Sequence, residues 1–186
     1  MRRFAPLLVL VLLAFPLAAC GDDPQSPDVG EETFDEATDA EGTETEQTQE
    51  EIPMVEGDAG VTVTGEPGAK PQIQVPGGEP PAQLTYTDLV VGDGEAAPEG
   101  ANVSMHYVGV SWSNGEEFDS SWDRGQTLNF PLSQLILGWQ RGVPGMNVGG
   151  RRLLVIPPDL GYGPQGTGPI GPNETLVFVI DLVGLG

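Results

Sequence analysis

Apolar residues gather into short runs from about residue 80 onward, and their spacing changes once along the way. Runs at Leu84–Val91, Val103–Val110, Glu117–Asp119, Thr127–Leu132, Arg151–Ile156 and Thr175–Val183 predict strands, each bounded by Gly, Pro, Asn or Ser. In the second run Val103, Met105 and Tyr107 alternate with Ser104, His106 and Val108, the period of two that puts successive side chains on opposite faces of a sheet. The exception is Leu135, Ile136, Trp139 and Val143, which fall on one face of a helix and are stopped by Pro144. A helix of about two turns has no independent stability in water, so a sheet curling around it must hold its apolar face. Asn114-Gly115 predicts a hairpin, and Gly149-Gly150 predicts another just before Arg151. Upstream, Pro71–Pro76 gives a short alternating piece closed by Gly77-Gly78. The pattern as a whole predicts an antiparallel α+β domain.

Charge divides the chain differently. The net charge of −21 over 186 residues splits into +2 for residues 1–20, −16 for residues 21–80 and −7 for residues 81–186. A surface this acidic argues against nucleic acid as a partner. From Gly21 to Pro67 the chain is mostly Glu, Asp, Thr, Gln, Gly and Pro with isolated apolar residues, the composition of a disordered tether. As a flexible coil it spans roughly 40 Å. Ca²⁺ or a basic partner could use its acids, but the spacing of a Ca²⁺ loop is missing. Ahead of it, Met1-Arg2-Arg3, an apolar run from Phe4 to Ala19 and then Leu17-Ala18-Ala19-Cys20 read as an export signal that resembles a bacterial lipobox. Pro6 and Pro16 interrupt the run, which is shorter than a membrane-spanning helix needs. By that resemblance Cys20 becomes the lipidated first residue of the mature protein; a plain secretory signal or an uncleaved anchor is the alternative. As the sole cysteine, Cys20 forms no intrachain disulfide. The expected organisation is a lipoprotein signal peptide at 1–19, a disordered acidic linker at 20–68 and a folded domain at 69–186, exported and lipid-anchored to the outer face of the bacterial cell membrane.

Six blocks in order carry the chemistry: His106-Tyr107-Val108-Gly109, Phe118-Asp119-Ser120-Ser121, Ile136-Leu137-Gly138-Trp139, Val148-Gly149-Gly150-Arg151, Pro158–Gly163 and Thr175-Leu176-Val177-Phe178. Together they resemble the FKBP-type peptidyl-prolyl cis-trans isomerases over residues 82–186. The resemblance implies a five-stranded antiparallel half-barrel sheet wrapped around one short α-helix, with a pocket for a prolyl ring between them. It implies a substrate pocket with Trp139 as floor and Tyr107, Phe118, Phe130, Leu135, Ile136, Ile170 and Phe178 as walls. It also implies Asp119 and Tyr162 as the catalytic polar pair, and an Ile136 backbone N–H that meets a substrate carbonyl. Implied partners are proline-containing exported polypeptides and macrolides of the tacrolimus type, with the protein acting as a monomer. Leu128, where the family commonly has an aromatic, and the Gly- and Pro-rich stretch Pro164–Pro172 bear on substrate and macrolide preference.

The residues read alone leave other roles open: Trp139 as core, Asp119 as a turn former before Ser120-Ser121, and Tyr162 as a loop residue. A proline-binding or chaperone module without turnover is the rival to the enzyme. Other chemistry fails on inspection. Gly161-Tyr162-Gly163-Pro164-Gln165-Gly166 has dinucleotide-loop spacing, but Pro164 forbids the helix that loop must open. With His106 as the sole histidine, neither a zinc site nor a Ser-His-Asp triad can form, and no cofactor is expected.

Overall fold

The computed structural model describes residues 59–186, together with the backbone of Val55 and Glu56. The expected signal peptide, Cys20 and most of the expected acidic linker lie outside the described residues. Among the described residues there are nine strands, β1 (Val55–Glu56), β2 (Thr62–Thr64), β3 (Gln72–Gln74), β4 (Thr85–Val90), β5 (Asn102–Ser111), β6 (Glu117–Ser120), β7 (Leu128–Pro131), β8 (Arg151–Ile156) and β9 (Leu176–Leu185). One α-helix, α1 (Leu137–Gly142), lies between β7 and β8.

Seven strands form one sheet in the order β1-β4-β8-β9-β5-β6, with β7 also paired to β5. The expected count was five. The sheet gains β7, because the long β5 carries β7 along Asn102–Met105 and β6 along Val108–Val110 on the same edge. It gains β1 as well, which pairs parallel with β4 and so departs from a purely antiparallel sheet. Asn114-Gly115 makes the β5–β6 hairpin: Gly115 N–H donates to Ser111 O at 2.8 Å and Ser111 N–H to Glu116 O at 2.9 Å. The hairpin expected at Gly149-Gly150 does not form. The chain turns there, but the segment before it carries α1 and only an isolated bridge, Ala96–Asn147. Gly149 N–H and Gly150 O instead exchange hydrogen bonds with Leu182 of β9, so the two glycines lead into a long-range ladder.

Alternation assigns each strand's side chains to two separate cores. On the concave face Val103, Met105 and Tyr107 of β5, Leu154 and Ile156 of β8, and Phe178, Ile180 and Leu182 of β9 pack with Trp139 and Val143. On the convex face Val108, Val110 and Trp112 pack with Leu153, Val155, Val177 and Val179. Both faces of β8 and most of β9 are therefore apolar, and each face needs a cover. Helix α1 covers the first. It lies close because Gly138 and Gly142 have no side chain: a Cβ on Gly138 would collide with Ile156, and one on Gly142 would come within 2.8 Å of Leu154. The helix begins two residues later than its apolar spacing suggested, since Leu135 and Ile136 are extended. Arg152 caps its far end, donating to Gly142 O at 2.8 Å while its other nitrogens hold Asp88.

The convex face is covered by the β2–β3 hairpin, which lays Val61, Val63, Ile73 and Val75 over it. Trp112 closes one end by donating its indole N–H to Gly78 O at 3.0 Å. At the other end Arg151, 2% exposed, pairs with Asp181 and donates to Gly65 O at 2.9 Å and Ala69 O at 2.8 Å. Ordered structure thus begins upstream of the boundary expected at residue 69. Val61 to Thr64 belong to the domain because the convex face supplies the apolar partner that their own composition lacks.

Candidate active site

Between α1 and the concave face lies a cavity of about 350 Å³. Its floor is Trp139, 4% exposed, on the same buried face of α1 as Gly138 and Gly142. Three aromatic edges meet around it. Tyr107 stands at 5.3 Å from the Trp139 ring and Phe178 at 5.1 Å, both nearly perpendicular, and Phe118 meets Phe178 at 5.5 Å. Such edge-to-face pairs fix ring orientation beyond what apolar burial alone would do. The Trp139 indole N–H has no hydrogen-bond partner among the described residues.

One wall is polar. The Tyr107 hydroxyl donates to Asp119, Arg124 donates to Asp119 through Nη1, and Arg124 Nη2 donates to the Tyr107 oxygen at 2.7 Å. Ser121 steadies this arrangement from behind: Tyr107 N–H donates to Ser121 Oγ at 2.8 Å and Ser121 N–H to Tyr107 O at 3.0 Å. Burial, with the neighbouring Asp119, pushes the Tyr107 phenol up to about 12, so Tyr107 stays a neutral donor. Tyr162 faces the cavity from the turn before Gly163–Gln165, and burial followed by the Asp119 charge raises its phenol too. Opposite, Leu135 and Ile136 form the lip of α1. The Ile136 carbonyl accepts from Trp139 N–H at 2.9 Å and Gln140 N–H at 3.1 Å. Its own N–H sits at the helix start, where the first amides have no partner within the helix.

Asp119, Tyr162, Tyr107, Phe118, Leu135, Ile136, Trp139, Ile170 and Phe178 all line this cavity. Phe130 does not, and is 46% exposed. Register explains the difference: Leu128 pairs with Met105, next to Tyr107 on the same face, whereas Phe130 pairs with Val103, one step further from the cavity. Leu128 takes the wall position instead, and Thr167, Gly168 and Pro169 complete the rim. The rim is shaped by mutual backbone hydrogen bonds between Thr167 and Ile170 at 2.8 and 2.9 Å. Arg124 was also missed by motif reading. Its signal was its isolation, as the sole Lys or Arg between Lys70 and Arg141.

The arrangement suits one kind of chemistry. Planarity of a prolyl amide rests on resonance that separates charge between oxygen and nitrogen, with a barrier of about 18–20 kcal/mol. An apolar aromatic hollow withdraws water from that dipole, and so favours the twisted amide, in which the resonance is lost, over either planar form. The Asp119 carboxylate is already held by Arg124 and Tyr107, with no nucleophile-and-base pair beside it among the lining residues. Fold and cavity together thus define a half-barrel protein that seats an apolar ring beside a neutralised carboxylate.

Comparison with known proteins agrees with this class. The family described as FKBP-type peptidyl-prolyl cis-trans isomerase matches residues 93–183. A probable FK506-binding protein of Corynebacterium glutamicum is 58% identical over 114 residues, covering 61% of this chain and 97% of that one. An FK506-binding protein of Streptomyces anulatus is 56% identical over 120 residues, covering 62% and 97%. The crystal structure of FkpA from Escherichia coli superposes with a TM-score of 0.53 at 41% identity, over 55% of this chain and 48% of that one. The chain belongs to the FKBP-type peptidyl-prolyl cis-trans isomerases.

Proposed function

We propose that this isomerase acts on X-Pro bonds of exported polypeptides while held at the outer face of the bacterial membrane through a lipidated Cys20. The observation that carries the substrate reading is the aromatic cavity floored by Trp139 and flanked by the Asp119–Arg124–Tyr107 cluster. The prolyl ring stacks on the Trp139 indole, and the residue before it meets Phe118, Leu128 and Ile170. In this reading Ile136 N–H donates to a substrate carbonyl as the amide twists. Asp119 and Tyr162 orient the peptide on the opposite wall, where an apolar residue before proline is preferred. The same hollow takes macrolides of the kind that name the FK506-binding relatives. The export reading rests on Met1-Arg2-Arg3, the apolar run and Leu17-Ala18-Ala19-Cys20.

Magnetisation-exchange NMR on an X-Pro peptide tests the catalytic reading: cross-peaks between cis and trans forms should build up faster with the protein than without it. A peptide that binds yet exchanges at the spontaneous rate would make the protein a binding module. For the anchor, mass spectrometry of the mature N-terminus should find acyl chains on Cys20, and Cys20→Ser should move the protein to the soluble fraction. An unmodified N-terminus at another residue would end that part of the proposal.

A further inference from the structure

The hairpin on the convex face reaches around to the loop that carries the polar wall of the cavity. Lys70 Nζ donates to Glu117 Oε1 at 2.9 Å and to Asp123 Oδ1 at 2.7 Å. These carboxylates bracket Asp119 along the chain: Glu117 opens β6, and Asp123 precedes Arg124 in the turn that follows it. Residues 116–123 hold four acids, and Arg124 is the one cation that follows them. Without a second cation, Asp123 and Glu117 would compete with Asp119 for Arg124. Lys70 removes that competition, and its bond to Asp123 also holds that carboxyl below its ordinary range.

Lys70 is not a free surface side chain that happens to meet two acids. Its own backbone is placed by the buried pair beneath the hairpin: Arg151 donates to Ala69 O at 2.8 Å, and Gly68 N–H donates to Asp181 Oδ2 at 3.3 Å. A continuous set of contacts therefore runs from Arg151 and Asp181, through Ala69 and Lys70, to Asp123, and ends at Arg124, Asp119 and Tyr107. We propose that Lys70 is a positioning residue for the isomerase site, holding Glu117 and Asp123 so that Arg124 remains on Asp119. The N-terminal hairpin is then part of the catalytic apparatus as well as a cover for the sheet. This inference rests on the role given above to Asp119.

The test compares the full chain with Lys70→Met, Lys70→Arg, Asp119→Asn and the Lys70→Met/Asp119→Asn pair, measuring exchange, peptide affinity and melting temperature. An exposed ion pair contributes little to stability, so Lys70→Met should melt close to the parent, while kcat/KM falls roughly threefold with peptide affinity nearly kept. Lys70→Arg, whose fork can hold both carboxylates, should restore the rate. In the Asp119→Asn background Lys70→Met should have no further effect, because its influence passes through Asp119. If Asp119→Asn slows exchange and Lys70→Met does not, the inference fails while the role of Asp119 stands. If Asp119→Asn matches the parent, that role fails and takes the inference with it. An equal loss from Lys70→Met in both backgrounds, a marked fall in melting temperature, or no rescue by arginine would assign Lys70 to the fold and overturn the proposal.

Discussion

The two faces of the central sheet use the same strands, yet one encloses a cavity and the other is filled. On the convex face the β2–β3 hairpin lies flat, and Val61, Val63, Ile73 and Val75 cover Val108, Val110, Leu153 and Val179. On the concave face a two-turn helix is too short to cover the curved sheet, and large rings stand edge-on around the gap it leaves. Aliphatic residues fill space, whereas rigid aromatics set at right angles keep it open. The difference makes the convex face a matter of stability and the concave face a matter of function, and the two should come apart under mutation.

Removing the hairpin should have the largest effect. A chain beginning at Gly77, compared with one beginning at Ala59, loses Ala59, Val61, Val63, Ile73 and Val75 from the convex cover and two carbonyl partners of the buried Arg151. At roughly 1.5–3 kcal/mol for a fully buried aliphatic such as Val61, and less for the partly buried Val63, Ile73 and Val75, the loss should be about 4 kcal/mol or more. Thermal or urea denaturation of both chains checks this; a melting temperature within a few degrees of the longer chain would show that the convex face needs no cover.

Next comes the cavity floor. Trp139→Ala should cost about 3–5 kcal/mol and abolish peptide binding together, since the indole is both packed and lining. Trp139→Leu separates the two, because it keeps an apolar residue on the helix face and changes mainly the depth of the hollow. It should stay folded with weaker binding of an X-Pro peptide by titration calorimetry, whereas Val179→Ala on the convex face should lower stability and leave that affinity unchanged. If both variants weaken binding alike, the two faces are not independent.

A smaller effect belongs to the polar wall. Asp119→Asn keeps the shape and removes the charge that Arg124 and Tyr107 share, so kcat/KM should fall about ten- to thirtyfold, or roughly 1–2 kcal/mol, with peptide affinity close to the parent. Loss of affinity without loss of turnover would reverse the assignment of Asp119 to the moving amide.

The same two faces differed in how far the sequence revealed them. The concave side was legible because its parts are motif residues: Tyr107, Asp119, Trp139, Tyr162 and Phe178 all reach the cavity. Strand β8 has the predicted limits because Gly149-Gly150 and Pro157-Pro158 bracket two arginines and the apolar run Leu153–Ile156. Errors arose where register or a distant partner decides. Phe130 and Leu128 share a face, and only the pairing of β7 with β5 shows which one reaches the cavity. Val61 to Thr64 are two valines in an acidic, polar stretch, and nothing local marks them as structure. Yet Leu153 to Ile156 and Leu176 to Ile180 are apolar at every position, which in an antiparallel sheet calls for a cover on both sides. That run was the signal for an extra covering element, and the acidic composition upstream masked where it lay.

The smallest effect in the working range concerns proton release by the phenol of the polar wall. In the folded protein Tyr107 ionises only near 12, held neutral first by burial and then by its bond to Asp119, against an ordinary value of 10.0. In the unfolded chain it ionises at the ordinary value. Below pH 9 both states carry the proton, so Tyr107 contributes no pH dependence to stability there. Between about 10 and 12 the unfolded state releases its proton while the folded state keeps it, and stability must fall as pH rises. Tyr162, raised in the same direction, adds to the fall. Melting temperature measured from pH 7 to 11 should therefore stay level as far as these phenols are concerned and then decline. Tyr107→Phe has no proton to lose, so it should show a shallower decline above pH 10 even if its melting temperature at neutral pH is lower through the lost bond to Asp119. A parallel fall in the two proteins would mean that Tyr107 ionises as readily folded as unfolded, and that the polar wall is open to water rather than enclosed by the cavity.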